Sequence, residues 1–395
     1  MKDEVLIVGA GPAGLGCAVA LHACGVRARV LDGAGVGAAF AAWPRQMRLL
    51  TPSFHSGNFG CVDLNAVTPD TSPADFLHTQ HPDGREYARY LHALAAHYEI
   101  EVETPVRVTR VVPLNSGGFS LETSAGMRDA RFVIWAAGEF ATPDFGGIQG
   151  AGLCRHASRV ADWDEVAAEG KSFAVVGGYE SGIDAAIHLM ERGKEVVVLS
   201  RGEPWAMDDP DPSRSLSPRT RDRLRAALLE APGRVRFFKN ANITRVERHE
   251  EGYRLFNDEG TAFACPTAPL LCTGFHSALE AAPVRGLWEM RDGQPLLSEA
   301  ADESTLHPGL FYSGPSLRHR GMLFCFIYKF RARFGIVARA IAQRMGLEWE
   351  VPLAKWRELG FMLEDLSCCA ECQCAVEAEP EVQPEVLPYA AVVAV

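Results

Sequence analysis

The 395-residue chain has no apolar run of the length a membrane-spanning helix needs, and Met1-Lys2-Asp3-Glu4 leads into a strand, not into the apolar core of a signal peptide. Membrane insertion and export are set aside, and a cytoplasmic protein is expected. A basic surplus is missing too. The formal charge is -11, the wrong sign for attracting nucleic-acid phosphates, and no Lys or Arg occurs from Glu358 onward. With 47% hydrophobic and 23% charged residues, the chain is neither fibrous nor wholly disordered, and its length allows about two or three domains. The regular cysteine spacing of a small secreted scaffold is also lacking. Most of the 11 cysteines stand singly in apolar segments, where a reduced thiol packs as a small hydrophobe. The exceptions crowd together as Cys368, Cys369, Cys372 and Cys374.

What the chain does have is a strand that runs into a glycine turn. Val5 to Val8 is apolar and Gly9-x-Gly11-x-x-Gly14 follows, with Ala10, Pro12 and Ala13 between the glycines. The first glycine makes the tight turn, the second lets a pyrophosphate approach the backbone, and the third lets helix and strand pack closely. A helix over Ala13 to Ala23 offers its N-terminal N–H groups to phosphates. A second strand, Ala28 to Leu31, ends at Asp32, placed to accept hydrogen bonds from a ribose diol.

Beyond Asp32, Gly33 to Ala42 reads as a flexible connection and Thr51 to Asp83 as long ordered loops. Glu86 to Tyr98 has helical spacing, and short strands follow at Ile100 to Val102, Arg107 to Val112, Phe119 to Glu122 and Phe132 to Ala136. The opening pattern then recurs. Phe173 to Val176 is a strand, Gly177-Gly178-Tyr179-Glu180-Ser181-Gly182 a glycine turn, Ile183 to Arg192 a helix and Val196 to Leu199 a strand. Two such units imply two dinucleotides and transfer of electrons or hydride between them. Tyr179 replaces the middle glycine, which requires its side chain to point away from the ligand. After the second strand, Ser200-Arg201 stands where an acid would select NADH; a guanidinium suits a 2′-phosphate, so NADPH is favoured over NADH. A basic helix over Pro218 to Leu229, the segment Leu270 to Phe275, a strand Leu310 to Tyr312 and a long apolar helix near Met322 to Met345 with snorkelling bases complete the outline.

On these residues the chain resembles the two-dinucleotide-binding-domain flavoproteins, and within them the flavin-containing monooxygenase group, over roughly residues 4 to 345. The resemblance implies an α/β fold of two Rossmann-like domains, with parallel sheets plus antiparallel β pieces, and a flexible Cys-containing C-terminal tail. It implies an FAD-binding domain over 1–150, an NADPH-binding domain over 151–285, a return segment of the FAD domain over 286–346, and an extension over 347–395. Gly9 to Gly14 is similar to the family's FAD turn and Gly177 to Gly182 to its NADPH turn. Trp43 with Met47, Arg48 and Thr51 is similar to a segment that lines the flavin ring. Ala136-Ala137-Gly138 and Cys272-Thr273-Gly274 resemble the interdomain linkers, and Gly314 the last flavin contact. The monooxygenase fingerprint is half present: Gly152 and His156 match, while Gly150 replaces a Phe and Val160 an aromatic residue. The disulfide-reductase relatives keep a Cys-x-x-Cys pair in a domain body, which this chain lacks before Cys369.

The implied chemistry is hydride transfer from NADPH to FAD, then reaction of the reduced flavin with oxygen and a small-molecule substrate, His156 orienting the cofactor. A homodimer is compatible with this plan; nucleic acid and membrane are not expected partners. A second reading gives Cys368 and Cys369 a catalytic part in reducing disulfides or metal ions. In a third, Cys368, Cys369, Cys372 and Cys374 hold a soft metal ion in a non-enzymatic flavoprotein.

Overall fold

The computed structural model describes residues 3–55, 61–209 and 211–367. The chain forms two compact units. The first takes residues 3–144, 160–162 and 274–366, and the second takes 145–159 and 163–273. The return to the first unit thus begins ahead of the expected boundary at 286 and runs past 346. Burial explains both differences: Ala278 and Leu279 already lie in the first unit's core, as do Leu353, Trp356, Phe361 and Leu366.

In the first unit, β1 (Asp3–Val8) lies between β2 (Ala28–Leu31) and β6 (Gly126–Trp135), parallel to both. Its Val5, Leu6, Ile7 and Val8 are all buried, as a central strand covered on both faces requires. β3 (Val102–Glu103) extends the parallel side beyond β2, and β4 (Val108–Pro113) and β5 (Phe119–Thr123) form an antiparallel meander on the first half of β6. The second half of β6 pairs with β17 (Leu310–Tyr312). Two small hairpins, β15 (Glu289–Arg291) with β16 (Gln294–Leu296) and β18 (Arg318–His319) with β19 (Met322–Leu323), flank that strand.

Helix α1 (Pro12–Ala23) opens on a proline, whose missing N–H costs nothing at that position. Gly16 lets it lie directly on the Phe334 ring of α9 (Phe334–Met345). The stretch expected to be flexible contains a short α2 (Ala38–Ala41), and the 51–83 loops contain α3 (Pro73–Leu77). α4 (Gly84–His97) starts with a reciprocal cap between Asp83 and Glu86. The long helix expected over 322–345 is interrupted: β19, α8 (Ile327–Phe330) and a tight turn at Arg331–Arg333 precede α9. Arg318 and Arg320 are exposed and Lys329 half-buried, but two of the bases do not snorkel. Arg331 is buried and donates to the carbonyls of Asp63 and Ala66, and the Arg333 guanidinium grips Asp302 at 2.9 and 3.0 Å. Drawing both side chains inward breaks the helical path. α10 (Glu350–Glu358) closes the unit with Leu353 and Trp356 in the core.

The second unit has a parallel sheet ordered β10-β9-β8-β14-β7, built from β7 (Arg155–His156), β8 (Ser172–Val176), β9 (Glu195–Leu199), β10 (Val235–Phe238) and β14 (Leu270–Leu271). Helices α5 (Trp163–Ala168), α6 (Glu180–Glu191) and α7 (Pro218–Glu230) accompany it. A separate antiparallel sheet joins β11 (Ile243–His249), β12 (Gly252–Asn257) and β13 (Ala262–Cys265). Parallel sheets with antiparallel pieces are therefore the observed fold class. No helix among the described residues is long and apolar enough to cross a membrane.

Candidate functional site

The two glycine turns are built bond for bond alike. Gly9 N–H donates to Leu31 O and Gly177 N–H to Leu199 O, both at 2.8 Å. Ala136 N–H reaches Val8 O, and Cys272 N–H reaches Val176 O, again both at 2.8 Å. Gly9 and Gly177 have φ of 113° and 106°, and a side chain on either would overlap the carbonyl of Ala136 or Cys272. Gly14 and Gly182 stand so close to the carbonyls of Gly9 and Gly177 that any Cβ would collide there. These four glycines are consumed by packing.

Gly11 is different. It caps α1 in extended conformation, and an added Cβ would meet nothing within 4 Å. Open space above a helix N-terminus is what a pyrophosphate needs, since it brings the backbone N–H groups and the positive dipole end together. Gly138 has the same property, with φ of 67° and nothing within 4 Å. Asp32 holds the turn from below, accepting from the N–H of Ala10 (2.8 Å), Ala34 (2.8 Å) and Gly35 (2.7 Å). The residues present fit a dinucleotide at this turn.

In the second turn Tyr179 occupies the Gly11 position with φ of −95°, a conformation open to any residue. Its hydroxyl donates to Ser215 O (2.7 Å) and Pro212 O (3.3 Å), so the side chain is committed to the loop before α7. Glu180 likewise serves α7: its carboxylate accepts from Ser217 N–H and from the Thr220 hydroxyl (2.6 Å). Burial pushes the Glu180 carboxyl above its ordinary range. Ser181 is half-buried in the first turn of α6. Gly178 is buried against Ser200 and Trp205, with no room for a Cβ. Arg201 is exposed and, among the described residues, carries no ion pair, whereas Arg221 pairs with Asp208 and Lys239 with Glu203.

Three chain exits meet at the carboxyl end of the first unit's sheet. Val8, Trp135 and Tyr312 are lateral neighbours across β1, β6 and β17. The turn at Gly9 abuts Ala136 and Ala137, and Gly314 faces Ala13. Glu139, directly after Gly138, accepts the hydroxyl of Ser316, whose oxygen in turn accepts from Ala278 N–H at 3.0 Å. Ser316 N–H donates to the Tyr312 hydroxyl at 2.9 Å. Sequence reasoning missed Glu139 and Ser316; the only signal was an acid beside the Gly138 turn.

The remaining candidates are dispersed. Trp43 packs on Phe40 with ring centroids 4.8 Å apart, and Arg48 pairs with Asp83 at 2.7 Å, reinforcing the α4 cap. Met47 and Thr51 are half-buried, and the Thr51 carbonyl accepts from Asn65 at 2.9 Å. His156 is buried on the edge strand β7, separated from β8 by β14. Its Nδ1 accepts from Ser158 N–H (3.2 Å), and its ring lies 5.6 Å from that of Phe145. Gly150, at φ of 80°, is pressed against Val246 O, which excludes the Phe of the monooxygenase fingerprint. Cys368, Cys369, Cys372 and Cys374 lie outside the described residues. Among the described residues no group of three or more His, Cys, Asp or Glu is placed to hold a metal. Cys61 and Cys325, expected in apolar surroundings, are exposed.

Residues 6–314 match the pyridine nucleotide-disulphide oxidoreductase family. Bacilliredoxin reductase Bdr of Bacillus subtilis is 23% identical over 350 residues, covering 87% of this chain and 99% of that protein. The solved structure of bacillithiol disulfide reductase Bdr from Staphylococcus aureus has a TM-score of 0.70 at 20% identity, covering 87% and 99% of the two chains. A flavin-containing monooxygenase from Stenotrophomonas maltophilia follows at 0.66 and 20%, covering 87% and 100%. At such identities the structural likeness is one of fold. The family match, over most of the chain and both glycine turns, identifies the chain as a member of the pyridine nucleotide-disulphide oxidoreductases, flavin-dependent oxidoreductases with two dinucleotide-binding domains.

Proposed function

We propose that the chain is an FAD- and NADPH-dependent oxidoreductase of the monooxygenase-like type, acting on oxygen and a small-molecule substrate. The observation that carries this reading is the bond-for-bond duplication of the strand, turn and helix at Gly9 and Gly177. Bound at the first turn, FAD would take a hydride from NADPH and pass on the two electrons. The chain's own part is to hold and to select. The α1 N-terminus at Gly11 holds the FAD pyrophosphate, Asp32 keeps its turn in shape, and the α6 N-terminus holds the pyrophosphate of NADPH. Arg201, exposed and without an ion pair among the described residues, is the group for the 2′-phosphate.

The buried thiols Cys17, Cys24 and Cys272 offer no competing outlet for the electrons. Burial pushes Cys17 and Cys272 up to about 12 and Cys24 up to about 11, so none is a thiolate at neutral pH. No Cys-x-x-Cys pair occurs before Cys369. A second reading, reduction of a disulfide or metal ion through Cys368 and Cys369, is favoured by the family match and by Cys369-x-x-Cys372. The test is anaerobic reduction with NADPH followed by admission of air, on the wild type and on Cys368→Ser/Cys369→Ser. Equal oxygen consumption by both, coupled to NADPH oxidation, is the expected result. Loss of turnover in the double variant, with flavin reduction intact, would overturn the first reading in favour of the second.

A further inference from the structure

The exits of β1, β6 and β17 close into a ring: Gly9 on Ala136, Gly314 on Ala13, and Glu139 on Ser316. Asp32, directly after β2, and Glu139, soon after β6, are carboxylates at this end of the unit, and Asp302 beside Tyr312 is a third, held by Arg333 and His319. Asp32 is satisfied by three backbone N–H groups. Glu139 receives only a neutral hydroxyl, and among the described residues no Lys, Arg or His lies within ion-pairing distance of it. Arg318 on β18 and the Tyr312 phenol on β17 are the charged and titratable groups that act on it. The Ala278 segment contributes an N–H to Ser316, and the first turn of α1, Pro12 to Leu15, carries no ionisable side chain. Burial favours the neutral carboxyl, while the Ser316 hydroxyl and Arg318 favour the charged form.

We propose that Glu139 is the charge-compensating group of the FAD pocket: its carboxylate takes one proton from solvent when two electrons enter the pocket and returns it when they leave. The inference rests on the FAD reading of the Gly9–Gly14 turn. The only bond made or broken on Glu139 is O–H. The electrons come from NADPH and stay on the cofactor, and the proton comes from water and goes back to it. The physical reason is electrostatic. Added negative charge beside a half-buried carboxylate that has no ion pair among the described residues raises that group's proton affinity, so electron and proton uptake are linked. Glu139 is a positioning group for charge; it is assigned no contact with substrate.

The test is the midpoint potential of FAD bound to the holoenzyme, followed by dye equilibration across the neutral pH range in wild type and Glu139→Gln. One extra proton per two electrons steepens the wild-type potential by about 30 mV per pH unit over part of the range, a tenfold shift in the reduction equilibrium per unit. E139Q loses that added slope. A purely structural role would leave the slope in place, so coincident slopes with FAD bound to both proteins overturn the proposal. If E139Q does not fold or retain FAD, Ser316→Ala decides. It keeps the carboxyl and removes a donor to its charged form, and the steep segment is expected to move to higher pH. A segment that stays in place overturns the proposal. Wild-type protein that takes up no FAD at all would instead sink the flavin reading beneath it.

Discussion

Gly11→Ala and Gly14→Ala test the proposal that Gly11 serves a ligand while Gly14 serves packing. Gly11 has φ of −87° and ψ of −173°, which alanine adopts without strain, and a Cβ there meets nothing within 4 Å. Its replacement changes only the helix cap, for a cost within about 1 kcal/mol. At Gly14 a Cβ would overlap the Gly9 carbonyl, so strand and helix must part, at about 1–3 kcal/mol or more. For FAD the order reverses in kind. A methyl group over the Gly11 backbone blocks the close approach of a phosphate. Losing one charge-assisted bond of about 1.5–3 kcal/mol weakens binding roughly 10- to 150-fold. The assay pairs thermal denaturation of the apoprotein with a fluorescence titration of FAD. Gly11→Ala is expected to melt near the wild type and bind FAD poorly, while Gly14→Ala melts early. Wild-type FAD affinity in Gly11→Ala, or a stability loss equal to that of Gly14→Ala, would refute the assignment.

Further outcomes follow from charged groups. Arg201→Ala is expected to raise the KM for NADPH about tenfold or more and leave that for NADH unchanged, with thermal stability within about 0.5 kcal/mol of wild type. Steady-state kinetics with both nucleotides checks it. On α6, His188 lies against Asp184 and Glu191, and these partners raise it above its ordinary value of 6.5 against the opposing effect of burial. Its stabilisation is complete below that value and is lost as pH rises through the raised one. Denaturant titrations should therefore show stability declining on the alkaline side in wild type and flatter in His188→Gln. Asp184, held below its ordinary range by His188 and Arg223, gives stability that is lost only as pH falls through its lowered value. Arg333→Leu removes the guanidinium from Asp302, which is 0% exposed and keeps His319 Nε2 at 2.6 Å, and should cost about 3 kcal/mol in a denaturant titration, the low end for a broken buried pair.

The parts legible in the sequence were those whose physics is local. Gly9 and Gly177 hold positive φ where the strand turns, and Gly14 and Gly182 press on the carbonyls five residues back, so spacing exposes all four; the packing of Gly9 on Ala136 and of Gly177 on Cys272, and the three backbone N–H groups that Asp32 accepts from, are not in the spacing. Tyr179 weakens the motif without cancelling it, since its φ is ordinary, but the partner that holds its side chain, Ser215 O, lies 36 residues on and is not in the pattern. The interrupted helix before α9 was hidden because periodicity reports which residues are apolar, not where an arginine points. Partners distant in sequence draw Arg331 and Arg333 inward: the carbonyls of Asp63 and Ala66 for the first, and the carboxylate of Asp302 with the carbonyls of Glu299 and Leu363 for the second. Glu139 and Ser316 were out of reach for the same reason, since 177 residues separate them. The absence of room at Gly150 depends on Val246, in a separate sheet.

The most direct measurement of the central claim, two dinucleotide sites working on one pair of electrons, is an anaerobic titration of FAD-reconstituted protein with NADPH, followed by flavin absorbance. One equivalent of NADPH should bleach one equivalent of bound flavin. Protein that takes up no FAD, or bound flavin that stays oxidised in excess NADPH, would contradict it.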